Sequence, residues 1–245
     1  MFNGGMSDGV GSGRRITGVG VPPAAEISGH GLRLRPWRPE SAEDAAAWLR
    51  GVRDPEFLRW NTPLRTVGSL DDARGSLRAR LEEARQGVAT AFCVTDAGSG
   101  AVLGHLGVNT VDPFLRTARV GYWVLPEARG RRVARRALAL ASAWGFEGAG
   151  LHRLELGHAL GHDVSCRVAE RCGYRFEGEL RGAMFEAGRH DAFRNVHLHA
   201  RLASDPYPPV DAPADGARPG GTRPGGADPD RNPRGADPGL GHGAV

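Results

Sequence analysis

The 245-residue sequence contains no lysine, so all 32 of its basic side chains are arginine, and isoleucine occurs only at positions 16 and 27. This bias is typical of a genome poor in A and T codons. The 28 acidic residues nearly balance the arginines and leave a net charge of +4. Because a small, diffuse basic excess is usually a solvated surface, we expect no nucleic-acid partner.

Long apolar segments and a cysteine framework are also missing. No uninterrupted apolar run approaches the roughly 20 residues that a membrane helix needs, which excludes a membrane-spanning helical protein. Three cysteines (Cys93, Cys166 and Cys172) are an odd number without a C-x-x-C pair. Such usage disfavours a disulfide framework and is typical of a reducing compartment. We therefore expect a cytoplasmic protein that does not contact a membrane.

Glycine and proline divide the chain into three parts. Residues 205–245 hold nine of the 17 prolines and nine of the 37 glycines, with repeated Arg-Pro-Gly-Gly and Gly-Ala-Asp-Pro. Residues 1–27 are rich in glycine and lack apolar periodicity. Neither segment can bury enough apolar surface to offset the entropy of ordering. We therefore predict a disordered leader (1–27), one folded domain (28–204) and a disordered tail (205–245).

Apolar periodicity within the domain predicts the α+β fold class, with mixed strand pairing. Alternating or compact apolar runs predict strands at 32–37, 91–95, 102–108, 119–125, 153–156, 174–177 and 193–202. Helical spacing of apolar residues predicts one helix that starts near residue 41 and three more that span 69–85, 131–146 and 164–171.

The junction between one strand and the next helix has the features of an anion site. The strand ends at Leu125, and an amphipathic helix starts near Arg131. N–H groups at a helix N-terminus lack helical partners, and the helix dipole favours an anion there. Gly130 lets the backbone approach a ligand closely. Because five arginines between 129 and 136 would repel one another, we infer a phosphate or pyrophosphate site, with a solvated arginine-rich turn as the alternative.

Two common nucleotide-binding motifs are missing from this junction. The sequence has no G-x-x-x-x-G-K-[ST] loop, and no G-x-G-x-x-G opens a helix after a strand. ATP and NAD are therefore poor candidates for the anion.

The order of elements and the Arg-Gly-Arg-Arg-Val-Ala loop at 129–134 resemble the GNAT (GCN5-related N-acetyltransferase) superfamily. In that family an Arg/Gln-x-x-Gly-x-Gly/Ala loop cradles the pyrophosphate of acetyl-CoA. Arg129 and Ala134 match its ends, whereas Arg132 replaces the usual glycine. The resemblance implies acetyl-CoA as co-substrate and a GNAT-type mixed, mostly antiparallel sheet with helices on both faces and splayed central strands. It assigns cofactor binding to Val124, Leu125, Arg129, Gly130, Arg131, Arg132, Val133, Ala134 and His162.

A second block strengthens the resemblance. Residues 162–174 are similar to the family's Asn-x-x-Ser, helix and Gly-Phe, with His162 in place of the Asn and Tyr174 in place of the Phe. The stretches 176–181 and 32–36 resemble the RimJ/RimL-type branch, which acetylates N-terminal alanine of ribosomal proteins. The resemblance therefore implies an N-acetyltransferase whose acceptor is a protein or peptide N-terminal amine.

The same resemblance names Ser165 as the general acid, while a helix N-cap is the alternative role for this residue. The position of the family's catalytic Glu holds Met184, and Glu186 lies two residues further on, so Glu186 is the candidate general base. Glu127, Glu155 and Asp191 remain alternatives. A water chain is another, because an N-terminal amine is partly neutral at pH 7.

Histidine spacing does not predict a metal site. His158 and His162 fall at a strand end and a loop, and His197 and His199 share a strand face without acidic or cysteine partners at ligand spacing. We therefore expect no metal.

Two functions other than protein N-acetylation stay open from the sequence. One is a non-catalytic acyl-CoA-binding regulatory domain, which Arg132, His162 and Met184 would favour. The other is acetylation of a small molecule, such as an aminoglycoside or an amino acid. The sequence allows either a monomer or a homodimer.

Overall fold

The computed structural model describes residues 21–209. The strands are β1 Ile27–Gly29, β2 Leu32–Pro36, β3 Thr90–Asp96, β4 Val102–Asp112, β5 Thr117–Val124, β6 Arg153–Ala159, β7 Arg175–Phe185 and β8 Phe193–Leu202. The α-helices are α1 Ala42–Val52, α2 Pro55–Trp60, α3 Leu70–Arg85, α4 Val133–Ala143 and α5 Asp163–Arg171. In this part of the chain, no helix is both long and apolar enough to cross a bilayer.

The eight strands form one sheet in the order β1-β2-β3-β4-β5-β6-β8-β7. All neighbours are antiparallel except β5 and β6, which are parallel. Two apolar clusters lie on opposite faces, one packed with α1 and α3 and the other with α4 and α5. The predicted α+β class, the mostly antiparallel sheet and the helices on both faces are confirmed.

The central strands β5 and β6 separate soon after they meet. They pair only from Thr117–Arg119 to Arg153–Glu155. Beyond this point β5 continues to Val124 along β4, while β6 continues to Ala159 along β8. The predicted splay is confirmed, and it opens the sheet at the carboxyl ends of these two strands.

Helix α4 begins two residues later than the sequence predicts. Arg132 has φ 58° and ψ 22°, which is the left-handed conformation, so it is the N-cap and Val133 is the first helical residue. Regular α-helix ends at Ala143 and continues as a π-turn from Trp144 to Gly148. Periodicity alone could not find the start, because the apolar stripe does not report a change of backbone conformation.

Helix α2 was missed by the sequence analysis. The Asp54 side chain accepts hydrogen bonds from the N–H groups of Glu56 and Phe57, and Pro55 occupies the first helical position. These are normal helix-start signals. The helix has only six residues and none is buried, so it has no apolar periodicity to detect.

Strand β7 is much longer than the predicted 174–177. It is an edge strand in which nearly every residue is exposed or half-exposed, so it lacks the alternation that marks a half-buried strand. The three-residue β1 was also missed, because it is too short to show a period.

The predicted leader (1–27) and tail (205–245) lie mostly outside the described residues. Their described ends contact the fold. Val21 is 2% exposed and its N–H donates to the Gly87 carbonyl, and Tyr207 donates from its hydroxyl to Glu147. The packed unit therefore extends beyond the predicted limits of 28 and 204.

A group of four rings fills the core between α1 and the sheet. Trp37, Trp48 and Trp123 pack around His105 with ring centroids 5.0–6.1 Å apart. The Trp37 Nε1–H donates to His105 Nδ1 at 3.2 Å. Gly51 of α1 lies directly against this group, since a Cβ there would be 2.4 Å from the Trp123 ring.

Candidate active site

A cavity of about 600 Å³ lies beside the end of β5, in the part of this strand that no longer pairs with β6. Its walls are α2, the end of β5, the start of α4 and one face of α5. The residues that line it are Glu56, Phe57, Trp60, Asn61, Tyr122, Trp123, Val124, Ala128, Arg129, Gly130, Arg132, Val133, Ala134, Arg135, His162, Val164, Ser165, Arg167, Val168 and Arg171. Eight of the eleven site residues expected from the sequence therefore share one cavity.

The first turn of α4 forms one end of the cavity. The N–H groups of Val133, Ala134 and Arg135 precede the first intrahelical bond, from Arg136 N–H to the Arg132 carbonyl. The N-cap side chain makes no capping hydrogen bond. The turn therefore presents backbone donors and the positive end of the helix dipole, which suit a phosphate.

Most of the arginines at 129–136 already have hydrogen-bond or ion-pair partners within the protein. Four of the five guanidinium groups already contact carboxylates or carbonyls of the protein: Arg129 with Asp54 and the Val124 carbonyl, Arg131 with Asp96, Arg135 with the Pro209 carbonyl, and Arg136 with the carbonyls of His30 and Arg131. Only Arg129 and Arg131 have an acidic partner, whereas Arg135 and Arg136 donate to uncharged carbonyls. Charge repulsion therefore does not call for an anion at Arg129 and Arg131, and the anion site stays a prediction for the rest of the run.

Three other guanidinium groups supply the positive charge of the cavity. Arg132, Arg167 and Arg171 line it, and across residues 21–209 none of their guanidinium groups forms a hydrogen bond or salt bridge. Arg167 and Arg171 are four apart on α5 and so face the same side of that helix. The sequence analysis missed this pair. The helical spacing of Arg167 and Arg171 is visible in the sequence. Only the placement of α5 beside α4 shows that both side chains line the cavity.

Tyr122 and Ser165 meet across the cavity. The Tyr122 hydroxyl donates to Ser165 Oγ at 3.3 Å. Burial raises the pKa of Tyr122 well above its usual value, and the hydrogen bond to Ser165 offsets only part of that rise. The phenol is therefore neutral at physiological pH and can serve as a hydrogen-bond donor.

Ser165 is not the N-cap of α5. The N-cap is His162, and the Ser165 N–H donates to the His162 carbonyl at 3.0 Å within the first turn. The Ser165 side chain is 6% exposed and is oriented towards Tyr122. The capping alternative is therefore wrong.

Trp60 and His162 form one wall of the cavity as a stacked pair, with ring centroids 4.4 Å apart and planes at 5°. Burial, and secondarily the nearby His158, lower the pKa of His162 to about 4. Its imidazole is therefore neutral at pH 7. Glu56 accepts a hydrogen bond from Trp60 Nε1 at 2.7 Å and supplies a carboxylate to the same wall. The sequence analysis missed Glu56 because it missed α2.

Three expected site residues do not line the cavity. Leu125 is fully buried, and its N–H donates to the Leu103 carbonyl at 2.9 Å, so it has no amide donor for a ligand. The Arg131 side chain turns towards Asp96. Glu186 follows β7, and its carboxylate lies 3.9 Å from Arg194. Glu186 is not among the residues that line the cavity.

The chain has relatives among known proteins. The family described as acetyltransferase (GNAT) domain matches residues 31–175. A putative ribosomal N-acetyltransferase, YdaF of Bacillus subtilis (strain 168), is 30% identical over 91 residues, which are 37% of this chain and 50% of YdaF. The ribosomal-protein-serine acetyltransferase of Escherichia coli (strain K12) is 26% identical over 136 residues, 56% of this chain and 73% of that protein. The match thus spans only half the length of the first of these two relatives.

The structure is also similar to that of Mycobacterium smegmatis RimJ in complex with CoA-disulfide. The TM-score is 0.63 and the sequences are 28% identical, over 70% of this chain and 82% of RimJ. The similarity therefore extends over most of this chain and most of RimJ.

Proposed function

Since the chain belongs to the acetyltransferase (GNAT) domain family, we propose that it transfers the acetyl group of acetyl-CoA to a primary amine, and that the acceptor is a protein or peptide N-terminal amine. The observation that supports this most directly is the convergence of three features in one cavity. These are the open edge of β5, the free N–H groups of α4 and the Tyr122–Ser165 pair.

The cofactor would bind across α4 and β5. The N–H groups at the start of α4 hold the pyrophosphate, and Gly130, at φ 75°, lets the loop pass close to it. Arg132, Arg167 and Arg171 add cationic donors for phosphate oxygens. The edge of residues 120–124 that faces away from β4 supplies backbone groups for the pantetheine arm.

The reaction proceeds by direct attack of the amine on the bound thioester. The C–N bond forms, the C–S bond breaks, and the departing thiolate needs a proton. Ser165 Oγ accepts a hydrogen bond from Tyr122, so its own proton is available to the thiolate. Tyr122 then returns a proton to Ser165 and regains its own from water that enters the cavity as the products leave. This pair extends the single-residue role expected for Ser165.

The amine must lose a proton before or during its attack. Glu56 lines the cavity, whereas Glu186 does not, so Glu56 is the better placed base. Its carboxylate also attracts the ammonium form of the acceptor. With a pKa near 8, an N-terminal amine needs only a modest shift towards neutrality. Glu186 instead positions Arg194, which lies over the Trp60 ring at 5.9 Å.

The acceptor class rests on the relatives. Two are named as ribosomal or ribosomal-protein acetyltransferases. We infer that an N-terminal amine enters the cavity beside Trp60 and Asn61, because Glu56 lies on the same wall of the cavity.

The experiment measures CoA thiol release by the full chain with acetyl-CoA and a panel of amines. The panel holds peptides with free N-terminal Ala, Ser or Met. It also holds the same peptides with a formylated N-terminus and an internal lysine, in which the lysine side chain is the only amine. Small amines, such as aminoglycosides and amino acids, complete the panel. We expect release with free N-termini only, and mass spectrometry should place the acetyl group on the α-amine. Activity confined to small amines would overturn the acceptor class. Tight acetyl-CoA binding without release for any amine would overturn the catalytic proposal.

A further inference from the structure

Four potential metal ligands converge on the sheet face beneath α5. They are His158 of β6, Cys166 of α5, and His197 and His199 of β8. One ligand atom from each side chain lies within 4.8 Å of the others. We propose that these four residues bind a zinc ion.

Strand pairing brings the histidines together. His158 lies directly opposite His197 in the antiparallel β6–β8 pair, and Leu156 lies opposite His199. Residues two apart share a face, so all three imidazoles are on the side that α5 covers. The His158 and His199 rings stack at 5.3 Å, and the His158 and His197 rings are 5.6 Å apart.

Helix α5 adds the sulfur. Cys166 Sγ is 3.5 Å from His199 Nε2. In a tetrahedral zinc site, bond lengths of about 2.0–2.3 Å place neighbouring ligand atoms about 3.3–3.6 Å apart. The Cys166–His199 spacing already fits, and a separation of 4.8 Å, the upper limit in the group, would need to contract by about 1.2–1.5 Å.

His158 provides an independent indication of a ligand. Its Nδ1 contacts the Ala159 carbonyl at 3.1 Å, and since a carbonyl only accepts, Nδ1 carries the proton. Nε2 therefore has the lone pair, and within the described residues it is buried without a hydrogen-bond partner. The residue is only 5% exposed. A histidine whose one nitrogen is fixed by a carbonyl and whose other nitrogen is free has the usual arrangement of a metal ligand.

The donor set selects the metal. Three imidazoles and one thiolate are soft to borderline ligands, which suit zinc and exclude calcium or magnesium. Four protein ligands leave no open position, so the site would be structural rather than catalytic. The ion would tie α5 to β6 and β8, next to Ser165, and so hold that hydroxyl in place.

Cobalt is the first probe, because thiolate-bound Co²⁺ has a charge-transfer absorption and tetrahedral Co²⁺ has intense visible bands. The reduced, metal-free full chain is titrated with Co²⁺ and then with Zn²⁺. We expect one equivalent of Co²⁺ to produce both absorptions and one equivalent of Zn²⁺ to abolish them. Zn²⁺ should also raise the melting temperature, because it binds the folded state.

Substitutions of two ligands that are only partly buried test where the ion binds. Cys166→Ser should remove the charge-transfer band, and His197→Gln should weaken the visible bands. Each should lower zinc affinity at least about 100-fold, since even loss of an outer-shell partner costs about 10–100-fold. His152→Ala, which removes an exposed histidine outside the group, is the matched control and should bind as the wild type does.

Absence of the charge-transfer band in the wild type, or unchanged zinc affinity in both variants, would overturn the proposal. Neither readout depends on acetyl transfer, so the zinc site and the proposed function can fail separately.

Discussion

The Tyr122 hydroxyl donates a hydrogen bond to Ser165 Oγ at 3.3 Å, although 43 residues separate the two positions in the chain. The contact joins β5 to α5 across the cavity where the acetyl-CoA thioester would lie. It makes Ser165 both a donor towards the cavity and an acceptor from a phenol that burial keeps protonated. The candidate acid is therefore a pair of residues.

This pairing predicts non-additive kinetics. Ser165→Ala should lower kcat by about 10²-fold or more, because it removes the group that protonates the thiolate. Tyr122→Phe should lower kcat about 10-fold, since Ser165 can still recover a proton from water. The double variant should be no slower than Ser165→Ala, because two residues acting as a unit are not additive. Independent effects that multiply in the double variant would show that the two hydroxyls do not form a relay.

The left-handed conformation of Arg132 predicts an unusual order of stability for two substitutions. Arg132→Ala and Arg132→Gly both remove the guanidinium, but a Cβ at φ 58° is strained and glycine avoids that strain. In denaturant unfolding, the alanine variant should be less stable than the glycine variant by about 1 kcal/mol. If alanine is the more stable, as it is inside ordinary helices, residue 132 does not adopt this conformation in solution.

Arg167 and Arg171 should contribute to cofactor affinity. Removing one charge-assisted hydrogen bond to a phosphate costs about 1.5–3 kcal/mol, so Arg167→Gln or Arg171→Gln should weaken CoA binding by about 10-fold or more. Calorimetry with CoA and with phosphate-free pantetheine separates the two parts of the ligand, and pantetheine affinity should not change. Arg85→Gln, on α3 and paired with Glu82, is the control. A loss of equal size with pantetheine would contradict a phosphate contact.

The half-buried His105 predicts a pH dependence of stability. Burial, and secondarily Arg80, lower the pKa of His105 to about 3, whereas an unfolded histidine titrates near 6.5. The unfolded state therefore binds one more proton between these values, and stability falls as pH drops from about 6.5 towards 3. His105→Gln should reduce the slope of the unfolding free energy against pH in this window, by up to about 1.4 kcal/mol per pH unit. The exposed His152→Gln should leave the slope unchanged, and equal slopes for wild type and His105→Gln would refute the assignment.

The packing around Trp123 predicts opposite effects for two glycine substitutions in helices. A Cβ on Gly51 would lie 2.4 Å from the Trp123 ring, whereas a Cβ on Gly75 of α3 meets nothing within 4 Å. Gly51→Ala should destabilise the fold by about 1–3 kcal/mol through overpacking. Gly75→Ala should stabilise it by about 0.5–1 kcal/mol through helix propensity. Thermal unfolding measures both, and a stabilising Gly51→Ala would contradict this packing.

Local patterns in the sequence were enough for the fold class, and they supplied the proposal of a cofactor site at the start of α4. Alternation and helical spacing report which face of an element is buried, so they located the main strands and the α4 and α5 helices. The strand-to-helix junction at 129–134 could be proposed as an anion site, because a helix N-terminus has free N–H groups wherever it occurs. The same patterns failed for the six-residue α2, where no residue is buried, and for the exposed β7.

The rest was decided by the tertiary structure. The meeting of Tyr122 with Ser165, the entry of Glu56 into the cavity wall and the convergence of His158, Cys166 and His199 depend on strand order, strand register and the splay of β5 from β6. Periodicity along one element says which side a residue faces but nothing about its partner on another element. Only the packed sheet sets those distances, because they depend on how distant segments pair.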